Sequence, residues 1–294
     1  MVARLQQCLV LGCILTAIGW IAFWWDRSFW LAISGVLALT VAHAVFLAAE
    51  FIATYLVSGP DPGGRASAVQ CIRAWTRESR VALSVFGWRQ PFRSRAVPDH
   101  MPTNGRRGVV FVHGFLCNRG FWTPWLQDLR AAGHAFVAVD LEPVFGSIDS
   151  YVHILDDAIR RVTADTSHPP VLICHSMGGL AARAWLRDFG GDRVHRIVTI
   201  GTPHGGTWLA RFGHSENGRQ MRMGGEWLQR IESERSCAQQ VPFTCWYSNC
   251  DNIVFPTSNA TLPGAHNRLV PGRGHVEMAF DTKLRHETMA LLAR

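Results

Sequence analysis

Two stretches near the start of this 294-residue chain contain no charged side chain. Residues 8–25 carry no Asp, Glu, Lys or Arg, and residues 29–49 carry none either, although His43 can titrate. Runs of 18 and 21 residues are close to the roughly 20 that cross a bilayer as a helix. Because the polar turn Asp26-Arg27-Ser28 separates them, residues 1–57 are predicted to form a membrane hairpin with spans at about 8–25 and 29–49.

The chain also lacks a signal-peptidase site of the A-x-A type between these runs. A cleaved signal peptide, with Arg4 as its basic region, is therefore the weaker alternative, and a buried core hairpin of a soluble protein is a second one. Glu50 directly follows the second uncharged run. We expect it to mark the end of the helix at the interface, and a proton-relay role is the alternative.

The chain has no C-x-x-C pair and no zinc-ligand spacing among its eight cysteines. Reduced cytoplasmic thiols are the simpler interpretation, and a Cys237–Cys245 bridge is the alternative if the protein is periplasmic. Internal repeats and low-complexity tracts are also absent. These absences exclude a solenoid and a disulfide framework of recognisable spacing.

Basic charge is concentrated just after the second uncharged run. Residues 58–107 contain nine arginines against Asp61, Glu78 and Asp99, which accounts for most of the formal net charge of +7. Such a cluster beside a membrane span indicates the cytoplasmic side and attracts anionic headgroups. Nucleic-acid binding is the other use of a basic patch, but no nucleic-acid motif accompanies it. Residues 58–105 are therefore predicted to be a basic juxtamembrane linker and helix.

From residue 106 onward, apolar segments of strand type alternate with helical patterns. Strands are predicted near 108–112, 135–140, 170–174, 194–200, 242–248 and 266–270, and helices near 119–132, 149–163, 177–189 and 277–293. This alternation is typical of a parallel sheet flanked by helices, so residues 106–294 are predicted to form one α/β domain. Residues 207–240 interrupt the alternation. They are predicted to be a lid-like insertion, with packing against the core as the alternative.

Ser176 stands where the predicted strand VLIC gives way to a helix. Small residues follow it at Gly178 and Gly179, as a tight strand-to-helix turn requires. The segment Cys174-His175-Ser176-Met177-Gly178 resembles the G-x-S-x-G elbow of α/β hydrolases, with cysteine in place of the first glycine. Ser176 is therefore a candidate nucleophile, and a helix-capping serine is the alternative.

The other motifs extend this resemblance. His113-Gly114-Phe115 follows the first predicted strand, TPHGGT spans 202–207, and a GRGH segment ends at His275. Together with the elbow and the Asp251 loop, they make residues 106–293 similar to a bacterial α/β hydrolase of the lipase/esterase, triacylglycerol lipase-like, type. The resemblance implies an α/β-hydrolase fold. The hairpin lies outside the resemblance. Together with the basic cluster, it predicts a bacterial inner-membrane location, with the cytoplasmic side favoured and the periplasmic side as the alternative.

The resemblance also assigns roles. The chain order serine, acid, histidine implies Ser176 as nucleophile, Asp251 as acid and His275 as base. The N–H groups of Phe115 and Met177 are the implied oxyanion donors. His113 is expected to hold its loop, and His204, which precedes the acid in chain order, is expected to be structural.

The predicted function is a membrane-anchored serine hydrolase that cleaves carboxylic esters, with lipid acyl esters favoured. This chemistry needs no metal and no organic cofactor, and the predicted partners are the acyl-ester substrate and the membrane, not nucleic acid. An acyltransferase using the same triad is one alternative, and a non-catalytic hydrolase-like module that binds a partner is another. The sequence does not fix the oligomeric state.

Overall fold

A computed structural model describes residues 1–59, 61–234 and 241–293. The chain begins with two long helices, α1 (Val2–Trp24) and α2 (Phe29–Val57), which pack against each other. The Ser28 hydroxyl caps α2 by accepting a hydrogen bond from the Leu31 amide. By length and composition, both helices are long and apolar enough to cross a membrane. The expectation that Glu50 ends the second helix is wrong, because α2 continues to Val57.

A basic segment follows the two apolar helices. Helix α3 (Ala68–Ser84) starts at a capping box, in which Ser67 and Gln70 each bond the other's backbone N–H. One π-helical turn (Val85–Arg89) joins it to the short helix α4 (Gln90–Arg93). Helix α3 packs against both α2 and the last part of the chain. The basic segment is therefore in contact with the α/β part of the chain as well as with the apolar helices.

The rest of the described chain is built around a six-stranded parallel sheet. Its strands are β1 (Val109–Val112), β2 (Phe136–Ala138), β3 (Val171–His175), β4 (Arg196–Ile200), β5 (Phe243–Tyr247) and β6 (His266–Leu269). Their spatial order is β2-β1-β3-β4-β5-β6. The helices are α5 (Thr123–Ala131), α6 (Val152–Thr166), α7 (Met177–Phe189), α8 (Glu216–Gln220), α9 (Glu226–Ser233), α10 (His275–Met278) and α11 (Thr282–Ala290).

Alternation along the strands divides the apolar residues between two cores. Val110 and Val112 of β1 face the core that contains Trp185 of α7. Val109 and Phe111 face the opposite core, with Trp122 and Trp125. The short all-apolar strands are thus covered on both faces, as buried parallel strands require.

All six predicted strands are present, and the helix boundaries differ locally. Single 3₁₀ turns at Arg119–Trp122 and Ile148–Tyr151 precede α5 and α6. The predicted last helix is divided into α10, α11 and a terminal 3₁₀ turn, because Asp281 leaves helical geometry and caps α11 through the Leu284 amide. The division leaves His275 at the start of its own short helix.

The insertion is partly packed and partly exposed. A 3₁₀ segment (Trp208–Phe212), α8 and α9 occupy its described part. Trp227, Leu228 and Ile231 are buried in the core that contains Trp185. Phe212 remains 61% exposed and Met223 46% exposed. Residues 235–240, and with them the Cys237–Cys245 alternative, lie outside the described residues.

Candidate active site

Ser176 lies in a strained turn between β3 and α7. Its φ of 54° and ψ of −130° are unfavourable for a residue with a side chain. The turn is held by two hydrogen bonds: the Ser176 amide donates to the Ile200 carbonyl (2.9 Å) and the Thr202 hydroxyl donates to the Ser176 carbonyl (2.8 Å). This strained strand-to-helix turn is the geometry that raises a nucleophile above the sheet edge.

Close packing explains the small residues around this turn. A Cβ atom on Gly178 would lie 2.5 Å from the Val112 carbonyl oxygen, and one on Gly114 would lie 2.7 Å from the Ser176 Cβ atom. Cys174, which replaces the elbow's first glycine, is fully buried within the sheet. The position thus accepts a small thiol but leaves it no access to solvent.

Asp251 and His275 meet at the same edge of the sheet. The Nδ1 atom of His275 lies 3.0 Å from each carboxylate oxygen of Asp251. Oδ1 of Asp251 also accepts the N–H groups of Ile253 (2.9 Å) and Val254 (2.8 Å), which fix the carboxylate. Both side chains are buried. Since Nδ1 is engaged with Asp251, Nε2 is the ring nitrogen of His275 left for proton transfer.

Residues 200–202 link the serine turn to this pair. Ile200 and Thr202 bond the backbone of Ser176 on either side of Gly201. A Cβ atom on Gly201 would lie 3.0 Å from Asp251 Oδ2 and 3.1 Å from His275 Nδ1. Gly201 adopts a φ of 57°, so glycine suits this position both in conformation and in space. The structure therefore brings the three predicted residues to one site.

His175 supports the histidine from the other side. Its Nε2–H donates to the backbone carbonyl of His275 (3.1 Å), and the two imidazole centroids are 4.6 Å apart. Burial, together with the positive charge that His275 can carry, holds the pKa of His175 well below its ordinary value. His175 therefore stays neutral and acts as a donor.

The electrostatic surroundings favour a charged His275. Burial by itself disfavours the imidazolium, but Asp251 and the more distant carboxyl groups of Glu78 and Glu50 outweigh it, so the pKa of His275 is raised. An imidazole in these surroundings holds a proton more readily than a free one.

The predicted oxyanion loop lies against the serine. His113 fastens it: Nδ1–H donates to the Gly114 carbonyl (2.9 Å), and Nε2 accepts the Leu141 amide (3.0 Å). Gly114 is in contact range of the Ser176 side chain, and Phe115 follows it directly. Met177 supplies the first amide of α7. Both expected donors are thus on segments that border Ser176.

His204 lies apart from the Asp251–His275 pair. Its Nε2 is 3.1 Å from the Thr199 hydroxyl and 3.7 Å from the sulfur of Cys245, which belongs to the core that contains Trp185. Its carbonyl accepts a hydrogen bond from Arg183 (3.1 Å). These contacts are those of a structural histidine.

Sequence reasoning missed several groups around the site. No sequence motif indicates a role for His175, Asn252 or Glu78, although the first two directly adjoin predicted site residues. Glu78 carries no such signal, because nearly 200 residues separate it from its partners Val276 and Glu277. Within the described ranges, no group of three or more His, Cys, Asp or Glu side chains is placed to hold a metal ion.

Comparison with known proteins finds similarity over part of the chain. The model of the alpha/beta hydrolase family matches residues 109–251. A probable esterase, PIR7A, from Oryza sativa subsp. indica is 31% identical over 106 residues, which are 33% of this chain and 39% of that protein. The chain thus matches well under half the length of this curated relative.

Solved structures share the architecture. The mature lipase BlEst2 of Bacillus licheniformis superposes with a TM-score of 0.58 at 18% identity, over 66% of this chain and 95% of that one. Lipase B of Aspergillus fumigatus gives 0.50 at 22% identity, over 60% and 49%. The chain therefore has the α/β-hydrolase fold, with a parallel sheet flanked by helices and two apolar helices preceding it.

Proposed function

We propose that this protein is a membrane-anchored serine hydrolase that cleaves carboxylic esters, and that its substrates are lipid acyl esters. The observation that carries the proposal is the buried Asp251–His275 pair beside the strained turn of Ser176. The similarity to an esterase and the shared fold with lipases support the same reaction class.

In the proposed acylation step, Ser176 Oγ attacks the ester carbonyl carbon while His275 Nε2 takes the hydroxyl proton. Asp251 accepts a hydrogen bond from the Nδ1–H group of His275 and stabilises the imidazolium that forms. The amides of Phe115 and Met177 donate to the oxyanion of the tetrahedral intermediate. His275 then gives its proton to the leaving alcohol, and the C–O bond of the ester breaks.

In the deacylation step, water replaces the alcohol as the attacking group. His275 Nε2 takes a proton from this water, whose oxygen adds to the acyl carbon of the Ser176 ester. Collapse of the second intermediate returns the proton to Ser176 Oγ and releases the carboxylic acid. In both steps His275 holds the proton as an imidazolium before it passes the proton on. The raised pKa of His275 stabilises this protonated form.

The contacts between the two apolar helices and the α/β part favour lipid substrates. The Gln6 side chain of α1 donates to the Leu116 carbonyl (3.2 Å), next to the proposed oxyanion loop. At the end of α2, Thr54 donates to the Asp251 carbonyl (3.1 Å). Exposed Leu116 and Phe145 lie on this side, and Phe145 contacts Phe115. A hairpin inserted in a bilayer holds such a site at the lipid surface.

Hydrolysis of an acyl-length series of esters by the detergent-solubilised protein tests the proposal, with Ser176→Ala as the variant and Ser150→Ala, an exposed serine, as the matched control. We expect Ser176→Ala to lower turnover by at least ~10³-fold, because a triad acts as a unit, and to abolish labelling by a fluorophosphonate. Strong labelling of the folded alanine variant overturns the assignment. Added alcohol that diverts product to a new ester points to acyl transfer instead.

A further inference from the structure

The helices that precede the α/β fold contribute polar contacts to the candidate active site. At residue 54 of α2, a threonine hydroxyl donates to the backbone carbonyl of Asp251 (3.1 Å). One turn earlier, Glu50 Oε2 accepts from Asn252 Nδ2 (2.7 Å). Thr54 is 1% exposed, and Asp251 and Asn252 are equally buried. Since these contacts hold two successive residues of the acid loop, α2 is packed into the site as well as being apolar enough to span a membrane.

Asn252 links Glu50 to the histidine. Its Oδ1 accepts the backbone N–H of His275 (3.0 Å). An amide group has one accepting and one donating end, so its orientation depends on its neighbours. Glu50 accepts from the Nδ2 end of Asn252, so the Nδ2 end faces α2 and the Oδ1 end faces His275. Glu50 therefore fixes the orientation in which Asn252 can hold the histidine loop.

Glu78 of α3 holds the same loop from a second direction. Its carboxylate accepts the N–H groups of Val276 (2.9 Å) and Glu277 (2.7 Å), the two residues that follow His275. Its side chain lies against Gly274, where a Cβ atom would be 2.5 Å from Oε2. Burial raises the pKa of Glu78 to about 7, against the opposing effect of these two hydrogen bonds. Burying a carboxyl group here carries a desolvation cost, which the two hydrogen bonds partly offset.

We propose that Glu50 and Glu78 are positioning residues of the active site, which hold the acid loop and the histidine loop in register from outside the sheet. The inference rests on the proposed function, because it assigns Asp251 and His275 their roles. Both glutamates lie before residue 109, where the match to the alpha/beta hydrolase family begins. The apolar and basic segments would then be parts of the catalytic apparatus, and not only an anchor.

The charge of the two glutamates should affect the pKa of His275, which loop positioning alone does not do. The titratable groups that face His275 are Asp251 from the β5 loop, Glu50 from α2, Glu78 from α3 and His175 from β3. Glu277 and Arg273 accompany it on its own segment. Replacing either outlying glutamate by glutamine removes the negative charge that its ionised form carries, and that charge stabilises the imidazolium. The pKa of His275 should then fall, and the acid limb of kcat/KM should move to lower pH.

The experiment measures kcat, KM and pH profiles on a soluble short-chain ester with the full-length, detergent-solubilised protein. Glu50→Ala should lower kcat roughly 10- to 100-fold with KM little changed, because a misplaced base impairs chemistry more than binding. Glu50→Gln, which retains an accepting oxygen for Asn252, should recover most of kcat while shifting the acid limb. Glu78→Gln should shift that limb in the same direction. Ile52→Ala on α2 and Arg80→Ala on α3, both exposed, are the matched controls.

Wild-type kcat and an unshifted acid limb in folded Glu50→Gln and Glu78→Gln overturn the proposal. The isosteric variants keep this test decisive even if Glu50→Ala does not fold. Ser176→Ala in the same assay separates the two levels of inference. If that variant is inactive while the glutamate variants behave as wild type, only the positioning role is wrong. If it remains active, the proposed function itself fails.

Discussion

His275 Nδ1 lies 3.0 Å from both carboxylate oxygens of Asp251, and neither side chain has more than a few per cent of its surface exposed. This contact fixes the tautomer in which Nδ1 carries the proton and Nε2 is the basic nitrogen. The Asp251 carboxylate is held by two backbone amides as well as by the histidine, and it fixes the orientation of the imidazole ring.

Replacing Asp251 by Asn should test this orientation. We expect kcat to fall by about 10⁴-fold, since an amide at that position favours the wrong imidazole tautomer while leaving the shape of the site intact. Single-turnover acylation by an activated ester measures the effect directly. Unchanged acylation in a folded Asp251→Asn variant would show that another group orients His275.

His275 and His204 should respond differently to replacement by alanine. His275→Ala should be nearly as damaging to turnover as Ser176→Ala. His204→Ala should mainly reduce stability, by about 1–3 kcal/mol, because it leaves the buried Thr199 hydroxyl without this partner. Denaturant unfolding and activity per folded molecule separate the effects. An inactive, normally stable His204→Ala beside an active His275→Ala would reverse the two assignments.

The raised pKa of His275 predicts the pH dependence of activity. Burial lowers this pKa, but the carboxyl groups of Asp251, Glu78 and Glu50 raise it by more than burial lowers it. The pKa in the folded protein therefore exceeds the ordinary 6.5. The proposed mechanism needs His275 in its neutral form, so kcat/KM should fall as the pH drops through an apparent pKa above 6.5. A pH series on a non-ionising ester measures it, and an apparent pKa below 6.5 would contradict the assigned surroundings.

The raised pKa of His275 also predicts how stability depends on pH, and this dependence is opposite in direction to that of activity. A histidine whose pKa is higher in the folded state stabilises that state when protonated. Its contribution is fully present below pH 6.5 and is lost as the pH rises through the folded-state pKa. Urea unfolding of the wild type and His275→Gln across this window isolates the term. A difference between them that grows with rising pH would contradict the sign.

The arginine cluster predicts which side of the membrane the α/β part faces. Arg4 precedes the first apolar run, and nine arginines follow the second within residues 58–107. Each arginine kept near an anionic cytoplasmic surface is favoured by ~1 kcal/mol. Alkaline phosphatase fused after Arg294 should be inactive in bacterial cells, and a fluorescent protein fused there should fluoresce. The reverse pattern would place the α/β part on the periplasmic side.

Much of the fold was predictable because its signals are local. Short segments rich in β-branched residues, such as Val109–Val112 and Val171–His175, favour buried strands, and small and polar residues mark the turns between them. The elbow around Ser176 is readable for the same reason, since the strain at one residue requires small neighbours within a few positions. The break at Asp281 was missed because one capping side chain decides it.

The sequence by itself determined the two apolar helices, the parallel α/β alternation and the order of Ser176, Asp251 and His275, all of which depend on residue type and near neighbours. The tertiary structure alone decided that Glu50 and Glu78 face the loops of Asn252 and Val276, across about 200 positions of chain. A lone glutamate in a helix has the same local pattern whether it meets water, lipid or a buried amide. Only the packing of α2 and α3 against the sheet edge gives these carboxyl groups their partners, and with them a place beside the histidine.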